Sequence, residues 1–278
     1  MYSSKVIAFT LFLLTAVQLA AADIVCTTYP VWLLARDIAG NDSSVPVKLL
    51  VKQSGTCAHE YTPNANDLKL LTHPNTILIC SGMDLDAHLV KSARRVNRKL
   101  RIIRASHPQD TFDEHNFAAP DTALRMAECI AAGLSRLLPE KAELFKQNSC
   151  KFTTAMQQII DESPLPRAGT TVILQSNIFK NFARFAKLSA DMLHLERSSA
   201  ISPAKLQKLL QQNRQQKFQA ILQEENLPDP AAEKLSHTGK IPAIKLNMLL
   251  SGPDDPPEHY FIKIMRCNLV KLQKGLAQ

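Results

Sequence analysis

Residues 47–71, VKLLVKQSGTCAHEYTPNANDLKLL, set out the unit from which the fold is built. The apolar run at 47–51 predicts a β-strand, residues 65–71 predict a helix, and the loop between them carries His59. In open α/β sheets, ligands bind at the carboxyl ends of the strands, where this loop lies. A lone loop histidine is more commonly only a surface residue. A binding role for His59 therefore requires partners elsewhere in the chain.

The same alternation of strand and helix extends along most of the sequence. A first series of predicted strands lies at 24–26, 47–51, 75–80 and 100–103, and a second at 171–174, 191–195, 218–222 and 243–246. Helical patterns lie between the strands of each series, which is typical of parallel sheets with helices on both faces. The predicted fold class is therefore α/β, with two lobes that each contain a mostly parallel sheet and flanking helices.

A long amphipathic pattern at 140–162 separates the two series and predicts one helix that bridges the lobes. We expect an N-terminal lobe at 23–138, a linking helix at 139–165 and a C-terminal lobe at 166–278. A ligand would lie in the cleft between the lobes.

The first 22 residues predict a secretory signal peptide. Lys5 gives a basic start, an apolar run follows, and small residues precede a cleavage position near Ala22. We therefore expect an exported, periplasmic protein. All six cysteines would reach an oxidising compartment, where disulfides are an option whose pairing the sequence leaves open.

The charge of the chain does not predict a nucleic-acid-binding protein. The net charge is +8, but aromatic residues make up only 6% of the chain and the basic residues are scattered. A surface that binds nucleic acid would combine basic side chains with aromatic stacking partners. We expect a monomer that binds no nucleic acid.

Several short motifs, in order and spacing, resemble one family over essentially the whole chain after the signal peptide. That family is the periplasmic solute-binding proteins of zinc and manganese ABC importers, the cluster A-I group. The motifs are Thr28-Tyr29-Pro30, the loop at 55–61 with Asn66-Asp67-Leu68, Ser81-Gly82-Met83-Asp84-Leu85, Asp113-Glu114-His115-Asn116-Phe117, and Met265-Arg266-Cys267-Asn268-Leu269. The resemblance implies two lobes bridged by a rigid helix, a divalent metal held in the cleft, and delivery of that metal to a membrane permease. It implies no catalysis.

In this family four side chains bind the metal, two from each lobe. The resemblance places the N-terminal pair at His59 and His115. It places the C-terminal pair at Ser176 and Asn247, where the family usually has His or Glu and then Asp. The chain thus departs from the pattern in the C-terminal lobe.

Two imidazoles favour zinc over manganese, with Mn²⁺, Fe²⁺ or another divalent transition metal as alternatives. Since Ser176 and Asn247 are neutral, a further donor would be needed for tight binding, and Glu60, Glu114, Glu224 and Cys57 are the candidates. Two alternatives remain at this point. One is a binding protein of the same fold that has weak or lost metal transport and binds another solute or a partner. The other is a secreted metal-dependent hydrolase, which no HExxH motif supports.

Overall fold

The structure is a computed structural model that describes residues 23–40, 44–51, 59, 61–167, 169–194 and 201–277. The predicted signal peptide, Cys57 and Glu60 lie outside these residues. None of the helices in the described ranges is both long and apolar enough to cross a bilayer.

The N-terminal lobe contains a four-stranded parallel sheet. Its strands are β1 (Ile24–Cys26), β2 (Val47–Leu49), β3 (Ile77–Cys80) and β4 (Arg101–Arg104), in the order β2-β1-β3-β4. The helices of this part of the chain are α1 (Tyr29–Ala39), α2 (Ala65–Lys69), α3 (Ala87–Val96) and α4 (Pro120–Leu137). Pro30 lies at the start of α1, and Gly40, at φ 70°, ends it. The helix α1 therefore ends at this point, and β2 is the next strand of the sheet.

The C-terminal lobe repeats this arrangement. Its strands are β5 (Thr171–Leu174), β6 (Ser189–Met192), β7 (Ala220–Glu224) and β8 (Ala243–Leu246), in the order β6-β5-β7-β8 and all parallel. Its helices are α6 (Lys180–Phe185), α7 (Pro203–Gln216), α8 (Pro230–Gly239) and α9 (Tyr260–Leu276). The predicted two-lobe α/β class is confirmed.

Two strands of this lobe differ from the prediction. The sequence predicts β7 at 218–222, whereas it occupies Ala220–Glu224. The other strand is β6. The sequence predicts it at 191–195, whereas β6 occupies Ser189–Met192, and Leu195 lies outside the described residues. Lys187 has φ 54°, so the chain turns sharply after α6, and the Ser189 amide then donates to the carbonyl of Thr170. Pairing with β5 consequently begins two residues earlier than the apolar pattern indicates.

The helix α5 (Ala142–Asp161), preceded by a 3₁₀ turn at Pro139–Lys141, packs against helices from both parts of the chain. It contacts α1, α4 and α9, and its buried face carries Phe145, Phe152, Met156 and Ile159. The rings of Phe152 and Phe261 lie 6.0 Å apart, which joins α5 to the start of α9. The main hydrophobic core therefore continues from one lobe into the other.

The central strands β1, β3, β5 and β7 bury both faces, as expected of a parallel sheet covered by helices. In β1, Ile24 and Cys26 belong to the main core, whereas Val25 belongs to a smaller core on the outer face. In β5, Ile173 likewise belongs to a second outer core. The cysteines in the described ranges (Cys26, Cys80, Cys129, Cys150 and Cys267) are free thiols, so no disulfide links any two of them. Burial raises the pKa of the Cys26 and Cys80 thiols, so these thiols stay protonated.

Candidate metal centre

Three potential metal-ligating side chains meet where the N-terminal sheet ends. His59 follows β2, and Glu114 and His115 follow β4, so all three come after carboxyl ends of parallel strands. One ligand atom from each lies within 4.8 Å of the other two. The two imidazole rings have centroids 5.8 Å apart and planes inclined at 58°. The structure thus brings together the two histidines that the sequence singles out and Glu114, one of the four further donors that the sequence puts forward.

His115 is buried and its ring is held from one side. Its Nδ1 lies 2.7 Å from Oδ1 of Asp113, and its backbone amide donates to the same oxygen at 3.0 Å. A carboxylate beside Nδ1 favours the tautomer in which Nδ1 carries the proton, which leaves the Nε2 lone pair for a metal. The Phe117 and His115 rings pack edge to face, with centroids 6.0 Å apart and planes inclined at 73°. His115 is therefore fixed before any metal arrives.

The local electrostatics keep Asp113 ionised. Burial alone would raise the pKa of this carboxyl, but hydrogen bonds from His115 and the charge of Lys180 outweigh burial and lower it. Lys180 places its Nζ 3.5 Å from Oδ2 of Asp113. A carboxylate that stays charged is the partner that keeps an imidazole Nδ1 protonated.

His59 lies on the open side of the group. Its Nε2 is 2.8 Å from Oε1 of Glu114, and the two side chains are 36% and 21% exposed. The chain just after His59 is anchored because the Tyr61 hydroxyl donates to Asp67 at 2.6 Å, and the ring of His88 bonds the Tyr61 carbonyl at 3.0 Å. A metal ion entering from solvent would meet His59 and Glu114 before the buried His115.

The donor set fits a zinc-like ion. Zinc bonds of 2.0–2.2 Å to nitrogen and oxygen in a tetrahedron place donors about 3.3 Å apart. The three atoms already lie within 4.8 Å, so a small separation of His59 from Glu114 would admit the ion between them. Two neutral imidazoles and one carboxylate supply three ligands and one negative charge. A fourth ligand, for which water suffices, would complete the shell.

The C-terminal positions have local roles in the structure. Ser176 is buried two residues after the end of β5 and immediately precedes a 3₁₀ turn at Asn177–Phe179. Asn247 follows β8, its side-chain oxygen accepts from the Leu249 amide at 2.8 Å, and its backbone exchanges two hydrogen bonds with Asn268. The Asn247 oxygen is thus already used by the backbone. A role for either residue as a metal ligand stays a prediction.

Glu224, a further candidate from sequence, is buried at the end of β7. Its Oε2 accepts from the Met248 amide at 2.8 Å, and its own amide donates to Gln175 at 2.6 Å. These contacts tie the loops after β5, β7 and β8 together. Glu224 therefore stabilises the carboxyl end of the C-terminal sheet.

Two residues that act on the site carry a weak signal or none in the sequence. Asp113 stands two positions before His115 and belongs to the motif, but its bond to the imidazole cannot be read from spacing. Asn181 follows a strand and a turn in the other lobe, and its amide donates to the Asp113 carbonyl at 3.0 Å. Only the packing of the two lobes reveals that contact.

A comparison with known families finds one match that extends over nearly the whole described chain. Residues 24–275 match the family described as zinc-uptake complex component A, periplasmic. The chain is also 25% identical over 287 aligned residues to the zinc-binding lipoprotein AdcA of Streptococcus pneumoniae strain R6. That alignment covers 92% of this chain and 56% of AdcA, so the chain spans little more than half the length of this relative.

Solved structures of similar fold cover the same extent. A periplasmic metal-binding protein from Candidatus Liberibacter asiaticus superposes with a TM-score of 0.77 at 17% identity, covering 92% of this chain and 99% of that one. FpvC from Pseudomonas aeruginosa, in complex with Ni²⁺, gives 0.81 at 18% identity, covering 92% and 97%. These likenesses, at such low identity, establish the fold.

Proposed function

Since the chain belongs to the family of periplasmic A components of zinc-uptake complexes, we propose that it captures a divalent transition metal between its lobes. Zinc is the first candidate, and a membrane permease of an ABC importer is the proposed recipient. The chain would act by binding and release, as a periplasmic monomer without catalysis. In this proposal residues 1–22 are a cleaved signal peptide, and residues 139–165 link lobes at 23–138 and 166–278.

The observation that carries the proposal is the convergence of His59, Glu114 and His115. Imidazole nitrogen suits zinc, nickel, copper and iron, whereas an all-oxygen shell would suit manganese. With two nitrogens and one carboxylate, zinc is favoured over manganese. Among the similar proteins, AdcA is named for zinc, and FpvC has been solved with Mn²⁺ and with Ni²⁺. These names support a divalent metal, and the donor set favours zinc among the candidates.

Isothermal titration calorimetry of the metal-free protein with zinc and, separately, manganese tests the proposal. We expect one zinc site, with zinc bound at least tenfold more tightly than manganese. His59→Ala and His115→Ala should each weaken zinc binding, and the double variant should abolish it. His237→Ala, which changes an exposed histidine on α8, is the matched control and should leave binding unchanged.

The same titrations also distinguish metal capture from the alternative function. If the protein binds no zinc, and the double histidine variant behaves like the wild type in every titration, metal capture is wrong. A protein of the same fold that binds another solute or a partner, as the neutral Ser176 and Asn247 first suggested, would then be favoured. Elemental analysis of protein purified without chelators gives an independent measurement.

A further inference from the structure

Asn181 connects the C-terminal lobe to the loop that carries Glu114 and His115. Its Nδ2 donates to the backbone carbonyl of Asp113 at 3.0 Å and to Oδ1 of Asn116 at 3.3 Å. The side chain is almost fully buried, with 1% exposure. One amide from α6 therefore holds both ends of the four-residue segment 113–116.

Lys180, the preceding residue, reaches the same aspartate from the other side. Its Nζ lies 3.5 Å from Oδ2 of Asp113, while Oδ1 of that carboxylate accepts from the ring and the backbone of His115. A continuous series of contacts thus leads from α6 through Asp113 to the imidazole. Each contact is polar and directional, so a displacement of α6 changes the geometry at His115.

The placement of Asn181 satisfies its side-chain nitrogen but not its side-chain oxygen. Among the described residues its Oδ1 is buried and has no hydrogen-bond partner. A buried, unsatisfied oxygen is destabilising, because it loses its bonds to water and gains none in the protein. The side chain therefore occupies a position that serves the contacts of its nitrogen with Asp113 and Asn116.

We propose that Asn181 is a positioning residue through which the C-terminal lobe sets the metal affinity of His115. This inference rests on the proposed function. The C-terminal lobe would then contribute to the site by holding Asp113, whether or not Ser176 and Asn247 are metal ligands. A separation of α6 from the loop breaks both bonds of the amide, loosens Asp113 and weakens the metal site, which supplies a route to release.

The test compares Asn181→Ala with Asn213→Ala. Asn213 in α7 also makes two hydrogen bonds, to the Gly239 carbonyl at 2.9 Å and from the Phe218 amide at 3.0 Å, but lies within the C-terminal lobe. By calorimetry, Asn181→Ala should weaken zinc binding about tenfold or more, as removal of outer-shell partners does. Asn213→Ala should change it less than twofold, although it too lowers the melting temperature. Equal zinc affinity of Asn181→Ala and wild type overturns the inference.

A second measurement needs no metal. Two-bond ¹H–¹⁵N NMR correlations of the metal-free protein at pH 8 report the tautomer of His115. We expect nearly pure Nδ1–H tautomer in the wild type and a mixture of tautomers in Asn181→Ala, whereas an unchanged spectrum of the variant overturns the inference. If wild-type protein binds no zinc, the proposed function is wrong. The tautomer result still decides whether Asn181 positions the His115 ring. Asn181→Ser, which keeps a small donor, should give an intermediate change and serves if the alanine variant does not fold.

Discussion

Oδ1 of Asp113 accepts two hydrogen bonds from the same residue, His115, one from the imidazole Nδ1 at 2.7 Å and one from the backbone amide at 3.0 Å. The backbone bond fixes the carboxylate relative to the chain, and the ring bond then fixes the imidazole relative to the carboxylate. The ring is oriented and its tautomer is selected by a single acceptor. Its other nitrogen, Nε2, is the atom that would coordinate a metal.

Asp113→Ala should therefore weaken zinc binding by about 10- to 100-fold, the range typical of outer-shell carboxylates. The physical reason is that the His115 ring loses both its orientation and the stabilisation of its Nδ1 proton. Competition with a chromophoric chelator measures the affinity. Asp161→Ala, an exposed carboxylate at the end of α5, is the control. Wild-type affinity in Asp113→Ala would show that the ring is held by packing alone.

Zinc binding should weaken as the pH falls. Both imidazoles must be neutral to coordinate, and an unperturbed histidine titrates near pH 6.5. The apparent dissociation constant should rise more than about tenfold between pH 7.5 and 5.5. Calorimetry at four pH values gives the curve. The His59→Ala variant should show a shallower slope, since one protonation fewer competes with the metal, and a flat wild-type profile would exclude histidine ligands.

The architecture could be predicted from the sequence because the patterns that indicate strands and helices are local. Strand-length apolar runs alternating with helical patterns predicted two parallel sheets and the long helix between them. At β6 the same rule placed the strand two residues late, since the sharp turn at Lys187 comes from a backbone conformation and not from an apolar pattern. Local pattern therefore fixes the order of elements better than their ends.

The site was only partly predictable, for a reason of the same kind. His59 and His115 stand in recognisable motifs, whereas Glu114 was one of four candidate further donors, and only the structure places its carboxylate beside His59. The contacts of Asp113 with Lys180 and Asn181 join residues more than 60 positions apart. Such pairs depend on how the lobes pack, which no short stretch of sequence encodes.

Gly133 in α4 should not tolerate alanine. In most helix interiors this change stabilises by up to about 1 kcal/mol. Here a Cβ would lie 2.7–2.9 Å from three side-chain carbons of Ile103 in β4, closer than packing allows. We expect a loss of about 1–3 kcal/mol in the free energy of unfolding, measured by urea denaturation. Ile103→Ala in the same chain should remove most of that penalty, so additive effects would contradict the overlap.

Asp37 and His259 give a stability effect that depends on pH. Asp37 in α1 has a side chain that is 10% exposed, and its Oδ1 lies 3.3 Å from both Nδ1 and the backbone amide of His259. Burial raises the pKa of Asp37 to about 6, against 3.8 ordinarily, even though His259 and Arg36 act to lower it. Between pH 3.8 and about 6, Asp37 thus keeps a proton in the folded protein that it has lost in the unfolded chain. Its contribution to stability is complete below pH 3.8 and is lost as the pH rises through 6.

Asp37→Asn should therefore increase the free energy of unfolding at pH 7.5, by about 1–3 kcal/mol, because the neutral amide avoids the cost of burying a charge. The advantage over wild type should shrink as the pH falls from 7 to 4, where the wild-type carboxyl is itself neutral. Urea denaturation of both proteins across that pH range measures the difference in their free energies of unfolding. Because other groups titrate alike in both proteins, their contributions cancel in this difference. Asp255→Asn, at a fully exposed aspartate near Arg36, should show no such dependence. An advantage that is constant with pH would mean that folding does not raise the pKa of Asp37. A loss at pH 7.5 would mean that the ion pair with His259 outweighs the burial of the charge.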